Sequence, residues 1–438
     1  MSNPFFCGNP VPPDQFLDRQ EELWRITGRI LNQGQSTAVM GEPRSGKTSL
    51  LWYLKAPEKR AMLYNADGQR LLFSYLDAQT LGEKFNQAQF WEYALHPLHG
   101  QVITPSLDSP IAQAYQVCRE NEFGCFVLER LFAQMVQSGW RLVVMLDEFD
   151  LLLHHPILNS AEFFGSLRHL ASLSQGALAL VIASRHSLAD LGKDTQQFSH
   201  GSSPYFNFLE EVTLGSWPDE SVAELLCRAG DRFASEDRRF IRQMAGEHPY
   251  LLQAAAYDLW LAYELSASED NLYLRRQQAW RRFLDKAGQT LDDSWQLWSQ
   301  VMRQAFAAVA LADMPRLLKR REFHVKSLVH DLHDLGPELA MLRDRGFVKE
   351  DETAPGGWQV RPQAFLWWLA DELVRTVRDE TSFEEWLKKR ELGILLTKSE
   401  KEQLSKTIRA ASGLLKGGIT TLIEAAAKGV GEVVMKGG

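Results

Sequence analysis

Residues 41–48 read GEPRSGKT and fill every position of the pattern GxxxxGK[ST]. The pattern works only where a buried strand ends in a loop that opens directly into a helix. Its flanks meet that demand. Ser36–Met40 (STAVM) is an apolar run of strand length, and Thr48–Lys55 carries a helical pattern. Gly41 and Gly46 let the backbone wrap an anion with its N–H groups, in conformations a side chain would obstruct. The helix start adds partial positive charge at the same point. Lys47 has the reach for β- and γ-phosphates, and the Thr48 hydroxyl suits Mg²⁺. Gly41, Glu42, Pro43, Arg44, Ser45, Gly46, Lys47, Thr48 and the adjoining Ser49 therefore form the candidate nucleotide cradle.

About 100 residues on, LVVMLDEFD (Leu142–Asp150) supplies a second part. A buried strand ending in a carboxylate brings Asp147 to the Mg²⁺ site, and Glu148 follows it as candidate general base. Asp150 reads as a solvated acid at the strand end. A further run, ALVIASR, ends in Arg185. In a parallel sheet that end shares a rim with Asp147, so Arg185 either reads the γ-phosphate or is solvated at a loop start. With Leu71–Leu76, four near-continuous apolar runs alternate with helical patterns such as Glu122–Gln137 and Phe163–Leu173. Such runs fit strands buried on both faces, and the alternation predicts an α/β fold: a three-layer P-loop NTPase core around a parallel sheet.

Composition narrows the class further. The chain has 438 residues, enough for about three domains. Its 48 Lys+Arg against 56 Asp+Glu give a formal charge of −8, which argues against non-specific coating of nucleic acid. The four cysteines lie outside any CxxC pair, so neither a disulfide scaffold nor a zinc site is suggested. The first residues lack a basic stretch before an apolar core, and no 18-residue apolar window occurs. A reduced, cytoplasmic protein is the expectation.

After about Leu214 the strands are expected to stop. Pro218–Ala229, Glu236–Leu265 and Asn271–Leu311 read as helical, as does the region near Val325–Asp344. Phe347–Val348 and Trp358–Val360 then flank a Pro-Gly-Gly turn, so the spacing predicts a winged helix. The expected domains are residues 1–214 as core, 215–265 as helical lid, 266–381 as linker helices and winged helix, and 382–438 as an amphipathic helical tail. Lys319, Arg320, Arg321 and Lys326 make a basic cluster near the winged helix. Glu350, Asp351 and Glu352 at the wing would repel a phosphate backbone, which favours a protein contact over DNA. Phe365, Trp367 and Trp368 read as helix core. Across Lys398–Gly438, seven Lys/Arg against four Glu leave the tail about +3. Residues 410–438 suit a membrane surface, a protein partner or self-assembly, or docking on their own domain.

The segment NPFFCGNPVPPDQFLDRQEEL, with GEPRSGKTSLL, LVVMLDEFD, VIASR and MAGEHPYLLQAAAYDLW, resembles the STAND-type, AAA-related P-loop ATPases, and among them the origin-recognition-like, archaeal-type members. The resemblance covers about Asn3 to Leu265. It implies that FLDRQEEL (Phe16–Leu23) lies beside adenine, with Arg19, Glu22 and Leu23 kept, Asp18 where glycine is usual and Gln20 where glutamate is usual. It also implies that His248 and Pro249 of GEHP belong to a lid motif. There His248 either contacts phosphate or caps the helix that Pro249 begins. Function is then expected to be an ATP/ADP- and Mg²⁺-dependent, slowly hydrolysing switch that forms a homo-oligomer with ATP and governs an effector or partner through its tail. A DNA-binding ATPase acting through the winged helix is the alternative.

Overall fold

The computed structural model describes residues 2–32, 34–198, 204–265, 272–317, 332–377, 380–390 and 396–416. Its contacts divide into two units. A core unit holds Pro10–Glu42 and Gly46–Leu214, and a helical unit holds Met1–Asn9, Pro43–Ser45 and the chain from Gly215 onward.

In the core unit, β1 (Thr37–Gly41), β2 (Leu71–Asp77), β3 (Arg141–Asp147), β4 (Leu178–Ser184) and β5 (Glu210–Leu214) form one sheet in the order β2-β3-β4-β1-β5. Every pairing is parallel, with Met40 opposite Ser184 and Asp77 opposite Asp147. The apolar runs of β1, β3 and β4 have buried side chains on both faces. Leu142, Val144 and Leu146 enter a core with Phe132, Phe163 and Leu167, while Val143 and Met145 enter the opposite core with Leu50, Leu51 and Val212. Two buried faces explain why these strands alternate so little in polarity. The α/β expectation is met.

The sequence reading missed β5. Its Glu210, Glu211 and Thr213 lie in an edge strand that pairs on one side only, so only Val212 and Leu214 are buried. Arg25 and Arg29 pair with Glu210 there, at 2.8 and 2.6 Å.

The helical unit is described by itself. The expected Glu236–Leu265 helix is two, Ser235–Ala245 and Pro249–Leu265. Gly246 breaks it at φ +59°, a left-handed conformation that glycine adopts without strain. The Asn271–Leu311 stretch likewise divides into Leu272–Leu297 and Gln300–Leu317. Gly336–Asp344 precedes an antiparallel hairpin, β6 (Val348–Glu350) and β7 (Trp358–Val360), and Gln363–Thr376 follows it. Phe347 stacks on Phe365 at 5.3 Å and meets Trp298 edge-on at 4.7 Å, so this part of the chain has an aromatic core of its own. Helices Glu380–Lys389 and Lys398–Lys416 pack with Gln363–Thr376, burying Phe383, Leu404 and Ile408.

The first residues pack among helices of this unit. Phe5 stacks on Phe233 at 5.6 Å and meets Trp260 edge-on, and the Phe6 N–H donates to Gln253 Oε1 at 3.0 Å. The basic cluster Lys319, Arg320, Arg321 and Lys326, and the tail beyond Lys416, lie outside the described residues. No described helix is long and apolar enough to cross a membrane.

Candidate functional site

The candidate site is built at the C-terminal edge of the parallel sheet, where β1 runs into the GEPRSGKT loop and β3 and β4 end in Asp147 and Ser184. After β1 the chain turns at Gly46, at φ +98° with nothing within 4 Å of where a Cβ would sit, and enters the helix Lys47–Lys55. Lys47 is buried, and its Nζ donates to the carbonyls of Gly41 and Glu42 at 2.9 and 3.0 Å. Burial pushes this ammonium below its ordinary pKa, while Glu148, Asp150, Glu42 and Asp147 oppose the shift. One lysine thus stands in the combined field of four carboxylates. The Ser49 hydroxyl accepts from the Val11 N–H at 2.9 Å, which ties the N-terminal segment to the start of the helix.

At the end of β3, Asp147 is 2% exposed. The Tyr75 hydroxyl donates to its Oδ2 at 2.8 Å and the Glu148 N–H to its Oδ1 at 3.1 Å, so the carboxylate has a fixed direction. Burial, then the Asp147 charge, pushes the Tyr75 phenol well above its usual range and keeps it protonated as a donor. Sequence reasoning missed Tyr75. It stands two residues before the Asp77 that pairs with Asp147, but only the strand register reveals the contact.

Glu148 takes a left-handed backbone, φ +50°, which turns it out of the strand direction. Burial lifts its carboxyl above the usual range against the pull of Lys47 and Arg185. A carboxylate with a raised pKa is a better proton acceptor.

Asp150 corrects the sequence reading. It is not a solvated strand-end acid but is 3% exposed and fully engaged. Its Oδ2 accepts from Arg185 Nη2 at 2.7 Å and Nε at 3.0 Å, and its Oδ1 accepts from the Arg185 backbone N–H at 3.2 Å. Burial alone would raise this carboxyl; the charge and hydrogen bonds of Arg185 outweigh it and hold the group below its ordinary value. Arg185 Nε also lies 3.4 Å from Glu148 Oε2. Its guanidinium therefore connects two acids, one of which is the candidate base.

Before the helix Gln20–Leu31, Asp18 and Arg19 have φ of +66° and +70°. Glycine adopts this conformation freely and Asp tolerates it better than most residues, which accounts for Asp18 at a glycine position. Arg19 is buried and pairs with Glu22 at 3.0 Å.

The remaining expected residues fall in the helical unit. Arg44 lies over the Tyr250 ring at 4.6 Å, donates to Thr290 Oγ1 at 3.3 Å and faces Asp293 at 3.5 Å. His248 is buried, its Nδ1 accepts from the Leu251 N–H at 3.4 Å, and Pro249 begins the helix. Gly41, Glu42, Gly46, Lys47, Thr48, Asp147, Glu148 and Arg185 thus belong to one unit, whereas Pro43, Arg44, Ser45, His248 and Pro249 belong to the other. Elsewhere in the core unit, Cys125, Glu129 and His169 place ligand atoms within 4.8 Å of one another, a grouping that cysteine spacing could not suggest.

A five-stranded parallel sheet of order β2-β3-β4-β1-β5, with GEPRSGKT after β1 and an acidic pair at the end of β3, matches the fold of a P-loop NTPase core. Among solved structures the chain is similar to a Walker-type ATPase of Pyrococcus abyssi, with a TM-score of 0.51 and 14% identity over 84% of this chain and 99% of that one. It is also similar to the Aeropyrum pernix ORC2 protein in ADPNP–ADP complexes, at a TM-score of 0.46 and 15% identity over 83% and 95%. Drosophila ORC bound to DNA follows at 0.44 and 14% over 84% and 81%. At these identities the likeness is one of fold. No protein-family model and no curated protein matches the chain.

Proposed function

We propose that this chain binds ATP with Mg²⁺ and works as a slowly hydrolysing nucleotide switch. The observation that carries the reading is the convergence on Lys47: a buried ammonium at the start of a phosphate-type helix, within the field of Glu148, Asp150, Glu42 and Asp147. The donor set fits the implied metal. Thr48 and Asp147 offer hard oxygen ligands, and Tyr75 with the Glu148 N–H orients the carboxylate. Mg²⁺ held there would neutralise phosphate charge. The Gly46 turn leaves the backbone free to face an anion, and Lys47 exchanges its loop carbonyls for phosphate oxygens. Glu148 accepts a proton from an attacking water, and Arg185 restrains its carboxylate. A base shared with a guanidinium is a poor fit for rapid turnover and a better one for a timer.

In this reading ATP and ADP favour different conformations, and the ATP form self-associates or releases residues 410–438 toward a protein partner. Reversing an equilibrium from about 1:99 to 99:1 takes about 10⁴-fold difference in affinity between the states, a gap several charged contacts to one γ-phosphate can supply. The test has two stages. Lys47→Ala is expected to abolish ATP binding, and unchanged affinity would remove the site. Mass measurement with ADP and with a non-hydrolysable ATP analogue is expected to differ in oligomeric state, and identical masses would remove self-association from the reading.

A further inference from the structure

The helical unit contains a basic groove of about 570 Å³ between the helix Ser235–Ala245 and the β6–β7 hairpin. Arg238, Arg239 and Arg242 line it from the helix, and Lys349 and Arg361 from the hairpin side. Among the described residues none of those lining it is acidic. That is unexpected in a chain of net charge −8.

Two of the five cations are balanced at the groove's margin, Arg242 by Asp219 and Arg361 by Glu247. Arg238, Arg239 and Lys349 form no described ion pair within 4.0 Å, and Arg239 feels only the longer-range field of the exposed Glu236. Arg238 donates from Nη2 to the Gly230 carbonyl at 2.7 Å, and its buried Nε has no hydrogen-bond partner. Burial also pushes the Arg361 guanidinium below its usual value, and the like charge of Arg242 adds to that push against Asp219. Concentrating like charges on concave, partly desolvated walls is costly unless an anion completes them. Guanidinium groups donate in a fixed fork that matches phosphate oxygens, and three glutamines line the groove beside them, Gln243 donating to Gln363 at 3.0 Å. The volume lies in the range of small-molecule sites.

We propose that this groove is a second anion site, separate from the GEPRSGKT loop, which binds the adjacent phosphate groups of a polyphosphate or of a nucleic-acid strand. The inference rests on the groove and not on the nucleotide reading.

The test compares the full-length parent, the double variant Arg239→Ala/Lys349→Ala, and Lys47→Ala. Each is titrated with inorganic tripolyphosphate and, separately, with a 20-base-pair DNA duplex. The side chains of Arg239 and Lys349 enter no described hydrogen bond or ion pair, so the double variant should keep its fold, as circular dichroism would verify. The expected result is that Lys47→Ala retains groove binding while the double variant binds at least about tenfold more weakly. A free polyphosphate ligand is indicated by tripolyphosphate binding without DNA binding. A nucleic-acid ligand is indicated by DNA binding with a log–log salt slope that falls by about two in the double variant. Binding lost in Lys47→Ala but kept in the double variant would place the anion at the loop and overturn the proposal. So would binding of neither probe by the parent.

Discussion

Replacing Arg185 with alanine tests the energetics of the site most directly, because the structure commits this side chain to a buried acid. Asp150 has a 4% exposed side chain and receives two hydrogen bonds from the guanidinium and one from the Arg185 backbone N–H. Alanine keeps only the last. Removing one partner of a buried ion pair costs about 3–5 kcal/mol. The guanidinium is 30% exposed, so water screens part of that, and about 2–3 kcal/mol is the working figure. For a unit of this size, about 2–4 °C per kcal/mol gives a melting point lower by roughly 4–12 °C. The assay is thermal unfolding by circular dichroism without nucleotide, repeated in Arg185→Ala/Asp150→Asn. The neutral amide removes the stranded charge, so the double variant should recover most of the loss.

Acidity adds a second, signed readout. The folded-state pKa of Asp150 is depressed, so its contribution is fully present above the unfolded value of about 3.9 and is lost as pH falls through the lower folded value. In Arg185→Ala the buried carboxyl loses the guanidinium that holds it down, so burial raises its pKa; the gap between parent and variant should therefore be constant at neutral pH, begin to close as pH falls through that raised value, and be gone below the depressed value of the parent. A melting point within about 1 °C of the parent at pH 7, or a gap that persists at acid pH, would refute the assignment of this pair as a stabilising lock.

Glu148→Gln should leave ATP binding intact while slowing hydrolysis by at least about 10²-fold, and equal turnover in single-turnover assays would exclude Glu148 as base. Because burial raises the Glu148 pKa, parent turnover should fall on acidification with a midpoint above the ordinary glutamate range, and that limb should vanish in the variant. Gly46→Ala meets no steric obstacle but places a side chain at φ +98°; a stability loss of about 1–2 kcal/mol by denaturant melting is expected, with weaker nucleotide binding. Arg276→Ala removes a buried partner 2.6 Å from the fully buried Asp237, which also holds the Tyr263 hydroxyl, so the helical unit should lose about 3–5 kcal/mol by tryptophan fluorescence.

What could be read from the chain follows the range of each interaction. The phosphate-type loop and the Asp147–Glu148 pair are contiguous motifs at the ends of apolar runs, and a contiguous motif carries its own structural context. Four of the five core strands are legible for the same reason: two buried faces leave an unbroken apolar signature. β5 is not, because an edge strand buries only every second residue and Glu210 answers to Arg25 and Arg29, which lie 185 and 181 positions away. Asp150 and Arg185 were each visible, but not their union, since 35 residues separate them and only the β3–β4 pairing brings them to one rim. Tyr75 depends likewise on the β2–β3 register. The basic groove carries the argument furthest. Lys349 adjoins Glu350, Asp351 and Glu352, the acids expected to repel a phosphate backbone. The structure pairs Glu350 with Arg343 at 2.8 Å, while Lys349 and Arg361 line a groove with the arginines more than 100 residues earlier. Side-chain alternation along a two-stranded hairpin sends neighbouring residues to opposite faces. A run of charge in a strand therefore has no single sign of action until its faces are assigned.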